Sequence, residues 1–433
     1  MSLQNILYPL TYHQESLLYE YLNDPENTRD NLAWKYLFAS QTNTERLINA
    51  IRQIIVAHPL LNAELVQDGK TYFWKRIDNA VLTSRLENIA EYLNVTNEEL
   101  QEEEKTFNRP FHLTSGEPLY AFKIFRTPTA VVLFFRIHHS IFDGVSQQIF
   151  INELAAAYNN EINNNHTLND EGALTAGQRE QEQLLSAKID INCNEFIKRI
   201  KKCGDITKLH EQKQLDKPAG CAEFCNGNFF PTEQIHNFCD KYSLSPNSIF
   251  ISAFAAVTSQ HSTNSDILFQ FIRSGRDEYN SSMIGAFIKK IPIVVRYDNN
   301  LSPLENCRKA KEDVKLAVQY GNVILYKQFE QKNDWGQLPV LGSTMLYIFH
   351  GNLWDNSKLP LVEGQRIVYS FLNNSSEDKS IPFMPLEFIV GELEGKYSYL
   401  CKYNNALFDK KFIEQFILEI DNHIKELIGE VQM

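Results

Sequence analysis

Apolar residues along this 433-residue chain recur at two spacings, one helical and one extended. Leu47, Ile48, Ile51, Ile54 and Ile55 share a face, which predicts a helix over Thr44–His58. Leu17, Leu18 and Tyr21 do the same behind Thr11, a fitting N-cap for a helix over Glu15–Leu22. Ser245 as cap and Pro246 in the first turn open an apolar helix, Ser248–Gln260, whose Ala253, Ala255 and Ala256 suit close packing. Phe412, Phe416, Ile420, His423 and Leu427 line the last helix, Lys411–Ile428. Glu180–Lys202 and Pro231–Tyr242 read as helices, and Glu98–Thr106 as an acidic helix or loop. Strands are predicted at Thr71–Trp74, Tyr120–Phe125, Ile267–Ile272 and Ser343–Phe349, in the buried stretch that ends at Ile293, and as a hairpin-like pair at Pro385–Val390 and Lys396–Tyr403.

The most informative run is Val131–Gly144, VVLFFRIHHSIFDG. Ala130 to Ile137 is β-branched and aromatic, too short for a core helix, and therefore reads as a buried strand. Side chains alternate along a strand, so His138 and His139 are expected on opposite faces, only one of them toward a given cavity. Asp143-Gly144 then breaks the chain, and Val145, Ile149, Leu154 and Tyr158 recur at helical spacing, which makes Asp143 the N-cap of a helix running to about Asn159. An imidazole at a strand end, beside a helix N-terminus that stabilises negative charge, suits acyl transfer. The bland alternative is structural: one histidine satisfied in the core and the other solvated.

The chain length suggests two or three domains. Asn159–Gly177 lacks apolar periodicity, so a linker is placed at 166–178 between domains 1–165 and 179–433. Lys+Arg 42 against Asp+Glu 54 gives a net charge of -12, which argues against nucleic-acid or anionic-membrane partners. The N-terminus lacks a signal pattern, the longest apolar runs fall short of a membrane span, and seven scattered cysteines fit reduced thiols, so a cytoplasmic protein is expected. Cys203, His210, Cys221 and Cys225 lack the C-x-x-C spacing of structural zinc sites, and no metal is expected. His112, in an apolar turn, is assigned to structure. Lys198, Arg199, Lys201 and Lys202 read as a solvated helix face or as a docking patch for an acidic partner.

His138-His139-Ser140-Ile141-Phe142-Asp143-Gly144, followed by Ser146, resembles the H-H-x-x-x-D-G-x-S signature of nonribosomal peptide synthetase condensation domains and related chloramphenicol-acetyltransferase-like acyltransferases. Further blocks follow the family's order. Leu10-Thr11-Tyr12-His13-Gln14 is similar to L-[ST]-x-x-Q, and His58-Pro59-Leu60-Leu61-Asn62 to H-P-x-L-R, with Asn62 in place of the arginine. Pro110-Phe111-His112-Leu113 is similar to P-F-D-L. Gly275-Arg276-Asp277 with Ile284–Pro292 resembles the G-R-D and I-G-x-F-x-N-T-x-P block, with Lys289-Lys290 replacing Asn-Thr, and Tyr403–Asp409 resembles Y-N-x-x-L-F-D. No adenylation, carrier or thioesterase region follows, so the chain looks like a free-standing condensation enzyme.

The resemblance implies an α/β (α+β sandwich) fold of two chloramphenicol-acetyltransferase-like lobes in a V-shaped pseudo-dimer with a central tunnel. It implies a monomer in natural-product and antibiotic biosynthesis that holds no permanent cofactor. The donor would be an acyl or peptidyl thioester on the phosphopantetheine of a carrier protein, the acceptor a free or carrier-bound amine, and the product an amide. His139 would be catalytic, as general base or only as an orienting group, with Gly144 offering its N–H to the oxyanion. His138 would be structural, Asp143 and Arg276 would lock the loop, and Ser146, Lys289 and Lys290 would lie along the substrate channel. Lysines turned to solvent from a sheet edge are the alternative for the last two. Competing functions are an ester-forming acyltransferase using acyl-carrier or acyl-CoA donors, an epimerisation domain, and a non-catalytic lobe that recruits carrier proteins.

Overall fold

The computed structural model describes residues 6–87, 89–160, 171–186, 191–203, 207–213, 220–264, 266–329, 345–353, 355, 358–372 and 384–429. These form two compact units. The first comprises Met1–Gln183, Gly275–Ile288 and Asn356–Asp378, and the second Leu184–Ser274, Lys289–Asp355 and Lys379–Met433. The division is thus discontinuous, unlike a split into 1–165 and 179–433, because Ile284, Phe287 and Tyr369 are built into the first unit's core. Of the expected linker, 166–170 lies outside the described residues, while Glu171–Ala173 forms a 3-10 turn and Ala176 begins a helix.

The first unit is organised on a five-stranded sheet in the order Val368–Phe371, Asn31–Ala39, Ala130–His138, Tyr120–Arg126, Ala90–Tyr92. Its central strand is apolar from Ala130 to Phe135 because both faces are covered. Val131, Leu133, Phe135 and Ile137 join one core with the helices Thr44–Ala57 and Gly144–Tyr158, whereas Val132 and Phe134 join another with Leu100 and Phe107 of helix Asn97–Phe107. Phe135 stacks at 4.6 Å on both Phe122 and Phe150, which seats the helix after the histidines directly on the sheet.

The second unit has a seven-stranded sheet, in which Lys289–Arg296, Asp266–Arg273, Met345–Phe349, Leu386–Leu393, Lys396–Asn404 and Ala222–Asn226 run in order and Phe230–Pro231 also pairs with Lys396–Asn404. Helix Pro246–Gln260 is buried at every position from Ser248 to Thr258, and helices Pro303–Phe329 and Lys410–Gly429 pack beside it. The single helix expected over Glu180–Lys202 is two, Ala176–Ser186 and Ile191–Lys202, with 187–190 outside the described residues. Arg199 of the second helix reaches inward to the buried Asp313, 3.0 Å away, which removes it from the exposed basic face. Among the described residues, no helix is long and apolar enough to cross a membrane.

Candidate active site

Strand Ala130–His138 ends where the His138 amide donates to Leu119 O at 2.9 Å. His139 opens a 3-10 turn, His139–Ile141, and its amide donates to Asp30 O at 2.7 Å. Strand alternation therefore stops at His138, and the turn, not the pleat, gives the two histidines different surroundings. Asp143 is extended, with φ -131, and caps helix Gly144–Tyr158 by accepting from the Ser146 amide at 2.8 Å.

His138 is buried against the edge of Phe111. Its Nδ1 accepts from the Ser140 amide at 3.1 Å and lies 2.9 Å from Ser140 Oγ. Burial, with a smaller contribution from neighbouring His139, pushes its pKa down to about 3. A neutral ring whose Nδ1 accepts from an amide carries its proton on Nε2, so His138 is committed to holding the turn.

His139 is half-buried. Its Nδ1 is enclosed without a hydrogen-bond partner among the described residues. Its ring meets that of His13 edge to face, with centroids 5.4 Å apart and planes at 82°. His13 lies in helix Tyr12–Asn23, whose start is fixed by a capping box between Thr11 and Gln14. The Gln14 side chain also donates from Nε2 to Ser140 O at 2.9 Å, clipping this helix to the histidine turn.

Asp143 and Arg276, remote in sequence, form a buried ion pair, Nη2 to Oδ1 2.7 Å, with Asp143 only 1% exposed. Asp143 Oδ1 also accepts from the Ser146 amide and lies 2.9 Å from Ser146 Oγ, while Oδ2 accepts from the Phe287 amide at 3.1 Å. Arg276 Nη1 donates to the carbonyls of Asn280 and Met283 at 2.8 and 2.7 Å, and the guanidinium lies over the Phe287 ring. Ser146, expected along a substrate channel, is instead fully buried. Its Oγ accepts from Arg276 Nη2 and the Gly285 amide at 2.8 and 3.0 Å, so the hydroxyl is consumed by the lock. Gly144 is the first residue of the helix, and its amide donates to no protein group among the described residues.

Lys289 and Lys290 belong to the second unit, where they begin an edge strand, half-buried, opposite Arg273 and Ile272. Asn62, standing where the family has arginine, caps helix Thr44–Ala57 by donating from Nδ2 to Ile55 O at 2.6 Å. His58 of the same block lies 2.7 Å from Glu153 and accepts from the Ile284 amide at 3.3 Å. His112 is exposed. Two contributions were not anticipated from the sequence, the His13 ring against His139 and the Gln14 clip; the L-[ST]-x-x-Q block pointed to the second but not to its partner.

Of the motif's ionisable groups, His138 and Asp143 thus have structural partners, whereas His139 Nδ1 has none among the described residues. Comparison with known proteins gives this arrangement a family. The family described as Condensation domain matches residues 4–183 and 226–433. A nonribosomal peptide synthetase of Aspergillus lentulus is 22% identical over 274 residues, 62% of this chain and 6% of that protein. A plipastatin synthase polypeptide of Bacillus subtilis strain 168 is 22% identical over 449 residues, 98% of this chain and 11% of that protein. The chain therefore spans only a small part of the curated relatives it matches. Among solved structures, the epimerization domain from the third module of tyrocidine synthetase B is similar at TM-score 0.77 and 14% identity, covering 99% of both chains. The condensation domain of the monacolin K polyketide synthase is similar at TM-score 0.77 and 12% identity, covering 98% of this chain and 97% of that one. The fold is accordingly the mixed α/β fold of these domains, and the chain belongs to the condensation-domain family.

Proposed function

We propose that this chain forms an amide bond between an acyl or peptidyl group, held as a thioester on the phosphopantetheine of a carrier protein, and an amine acceptor, free or carrier-bound. One observation carries the reading: in the turn that leads into helix Gly144–Tyr158, the enclosed Nδ1 of His139 meets no hydrogen-bond partner among the described residues, while the Gly144 amide at the helix start is unspent.

In this mechanism the amine nitrogen attacks the thioester carbonyl carbon. The carbonyl oxygen gains negative charge and is met by the Gly144 N–H and the positive end of the helix. As the C–N bond forms, His139 accepts the amine proton at Nε2, and the C–S bond then breaks to release the phosphopantetheine thiolate, which recovers that proton. A thioester is already activated, so placing both reactants supplies much of the acceleration, with effective molarities on the order of 10⁵ M for well-oriented groups. Asp143 has a structural part in this mechanism, its carboxylate being bonded to Arg276, Ser146 and Phe287. Its work is to hold the helix start. A monomer in the cytoplasm fits this reading, and the seven free thiols are consistent with a reducing compartment.

The test offers acyl-carrier and acyl-CoA donors side by side with amine and alcohol acceptors, and follows products by mass spectrometry. Amide from the carrier-bound donor, absent with His139→Ala at unchanged melting temperature, is the expected result. Ester alone would establish the ester-forming alternative, epimerised aminoacyl-carrier the epimerisation one, and carrier binding without product would leave a recruiting domain.

A further inference from the structure

A histidine that moves protons is ordinarily oriented through its second ring nitrogen, by a carboxylate or a carbonyl that fixes both tautomer and ring plane. His139 lacks that device: Nδ1 is enclosed, yet no described group accepts from it or donates to it. The bond from its amide to Asp30 O fixes the main chain but leaves both side-chain torsions undetermined. What meets the ring is the ring of His13, at an interplanar angle and separation that belong to the edge-to-face arrangement aromatic pairs prefer.

We propose that His13 is a positioning residue, which sets the ring plane of His139 by this edge-to-face contact in place of an orienting hydrogen bond. The inference rests on His139 being the catalytic group argued above, and deepens that reading.

The contact can carry this role because its two sides are tied together independently of the rings. Thr11 and Gln14 close a capping box around the first turn of the helix that bears His13. The Tyr12 amide donates to Glu180 Oε2 at 2.7 Å, and Gln14 Nε2 holds Ser140 O at 2.9 Å. The residue following His13 therefore grips the residue following His139. Helix and turn cannot slide past each other without breaking that bond, and the angle between the rings is inherited by His139. The same helix buries Leu17 and Leu18, so an aliphatic side chain at position 13 would have satisfied its packing; a planar ring fixes an orientation that a branched chain does not.

Four variants decide the matter: His13→Phe, His13→Leu, His13→Ala and His139→Ala. The first readout needs no substrate. Carbethoxylation of His139 by diethyl pyrocarbonate, followed by peptide mass spectrometry, should accelerate several-fold in His13→Ala and His13→Leu and stay near the wild-type rate in His13→Phe. The second is turnover with an acyl-carrier donor. His13→Ala and His13→Leu should lower kcat on the order of 2- to 10-fold, the rate equivalent of one aromatic pair, with KM little changed and His13→Phe rescuing. Unchanged modification rates in His13→Ala and His13→Leu, or a His13→Phe protein as impaired as His13→Ala, overturns the proposal. A fully active His139→Ala would instead overturn the mechanism, while the modification rates would still decide whether His13 sets the ring.

Discussion

Removing the Asp143 carboxylate tests the lock on which the loop depends. In Asp143→Ala, Arg276 keeps its bonds to the Asn280 and Met283 carbonyls but loses the carboxylate that faces its guanidinium, while its side chain is 7% exposed. Breaking a buried ion pair from one side costs about 3–5 kcal/mol, and the N-cap bond to Ser146, typically about 1 kcal/mol, is lost with it. At roughly 2–4 °C per kcal/mol for a cooperative unit of this size, a combined loss of about 4–6 kcal/mol should lower the first unit's melting transition by about 8–24 °C. Arg276→Met should cost a similar amount, because it strands Asp143 in a site that is 1% exposed. The two losses overlap. Asp143→Ala/Arg276→Met should be destabilised by clearly less than the sum of the two single losses, with a coupling energy of roughly 2–3 kcal/mol.

The assay is a double-mutant cycle by differential scanning calorimetry, with the first unit's transition assigned by its response to Asp143→Ala. Additivity within about 0.5 kcal/mol would refute the reasoning, since independent sites behave that way and a shared buried pair does not. So would a single variant that melts with the wild type.

Other expectations follow from the same geometry. Unfolding releases a histidine of ordinary pKa where folded His138 sits at about 3, so the unfolded state binds more protons below pH ~6.5; this site should cost about 2 kcal/mol of stability by pH 5 and nothing above neutrality. His138→Asn, which keeps an acceptor for the Ser140 amide, should flatten that part of the acid limb, and an unchanged slope between pH 7.5 and 5 would count against the assignment. In the second unit, burial works against protonation of His261, but its bonds to Glu419 and Glu211, at 2.6 and 3.0 Å, prevail and raise its pKa. Its stabilisation is present below the ordinary histidine value and lost as pH rises through the raised one, so the melting-temperature gap between wild type and His261→Gln should be wide at pH 6 and close in alkali. Lys289→Asn, on an edge strand, should alter acceptor preference in kinetics more than melting temperature; identical kinetics across acceptors would remove the lysine from specificity.

How much of this was legible in the sequence depends on whether a contact leaves a local mark. The strand Ala130–His138, its turn and the helix capped by Asp143 were readable because apolar runs, Asp-Gly and helical spacing act over a few residues. The discontinuous first unit was not, because segments 275–288 and 356–378 are ordinary in composition and are recruited only by the core they complete. Strand Asn31–Ala39 and helix Pro303–Phe329 went unpredicted as well, the helix because frequent charges interrupt its apolar face. The burial of Ser146 has a related cause: a small polar residue after Asp-Gly carries no local mark of the Gly285 backbone and Arg276 that are brought against it.

The same difference in range separates the two ways the loop is held. Asp143 is fixed by hydrogen bonds from the Ser146 amide and hydroxyl, Arg276 and the Phe287 amide. Three of these donors meet Oδ1 and one meets Oδ2, and together they hold Gly144 at the helix start. His139 is held by its backbone and by the His13 ring, neither of which uses a ring lone pair. In the proposed mechanism the loop thus places its strong polar bonds on residues that stay still and leaves the His139 imidazole, the proposed proton acceptor, to be oriented by shape. On this division of labour, substituting Asp143 should lower activity in step with stability, while substituting His13 should lower activity with a melting-temperature loss of only about a few degrees.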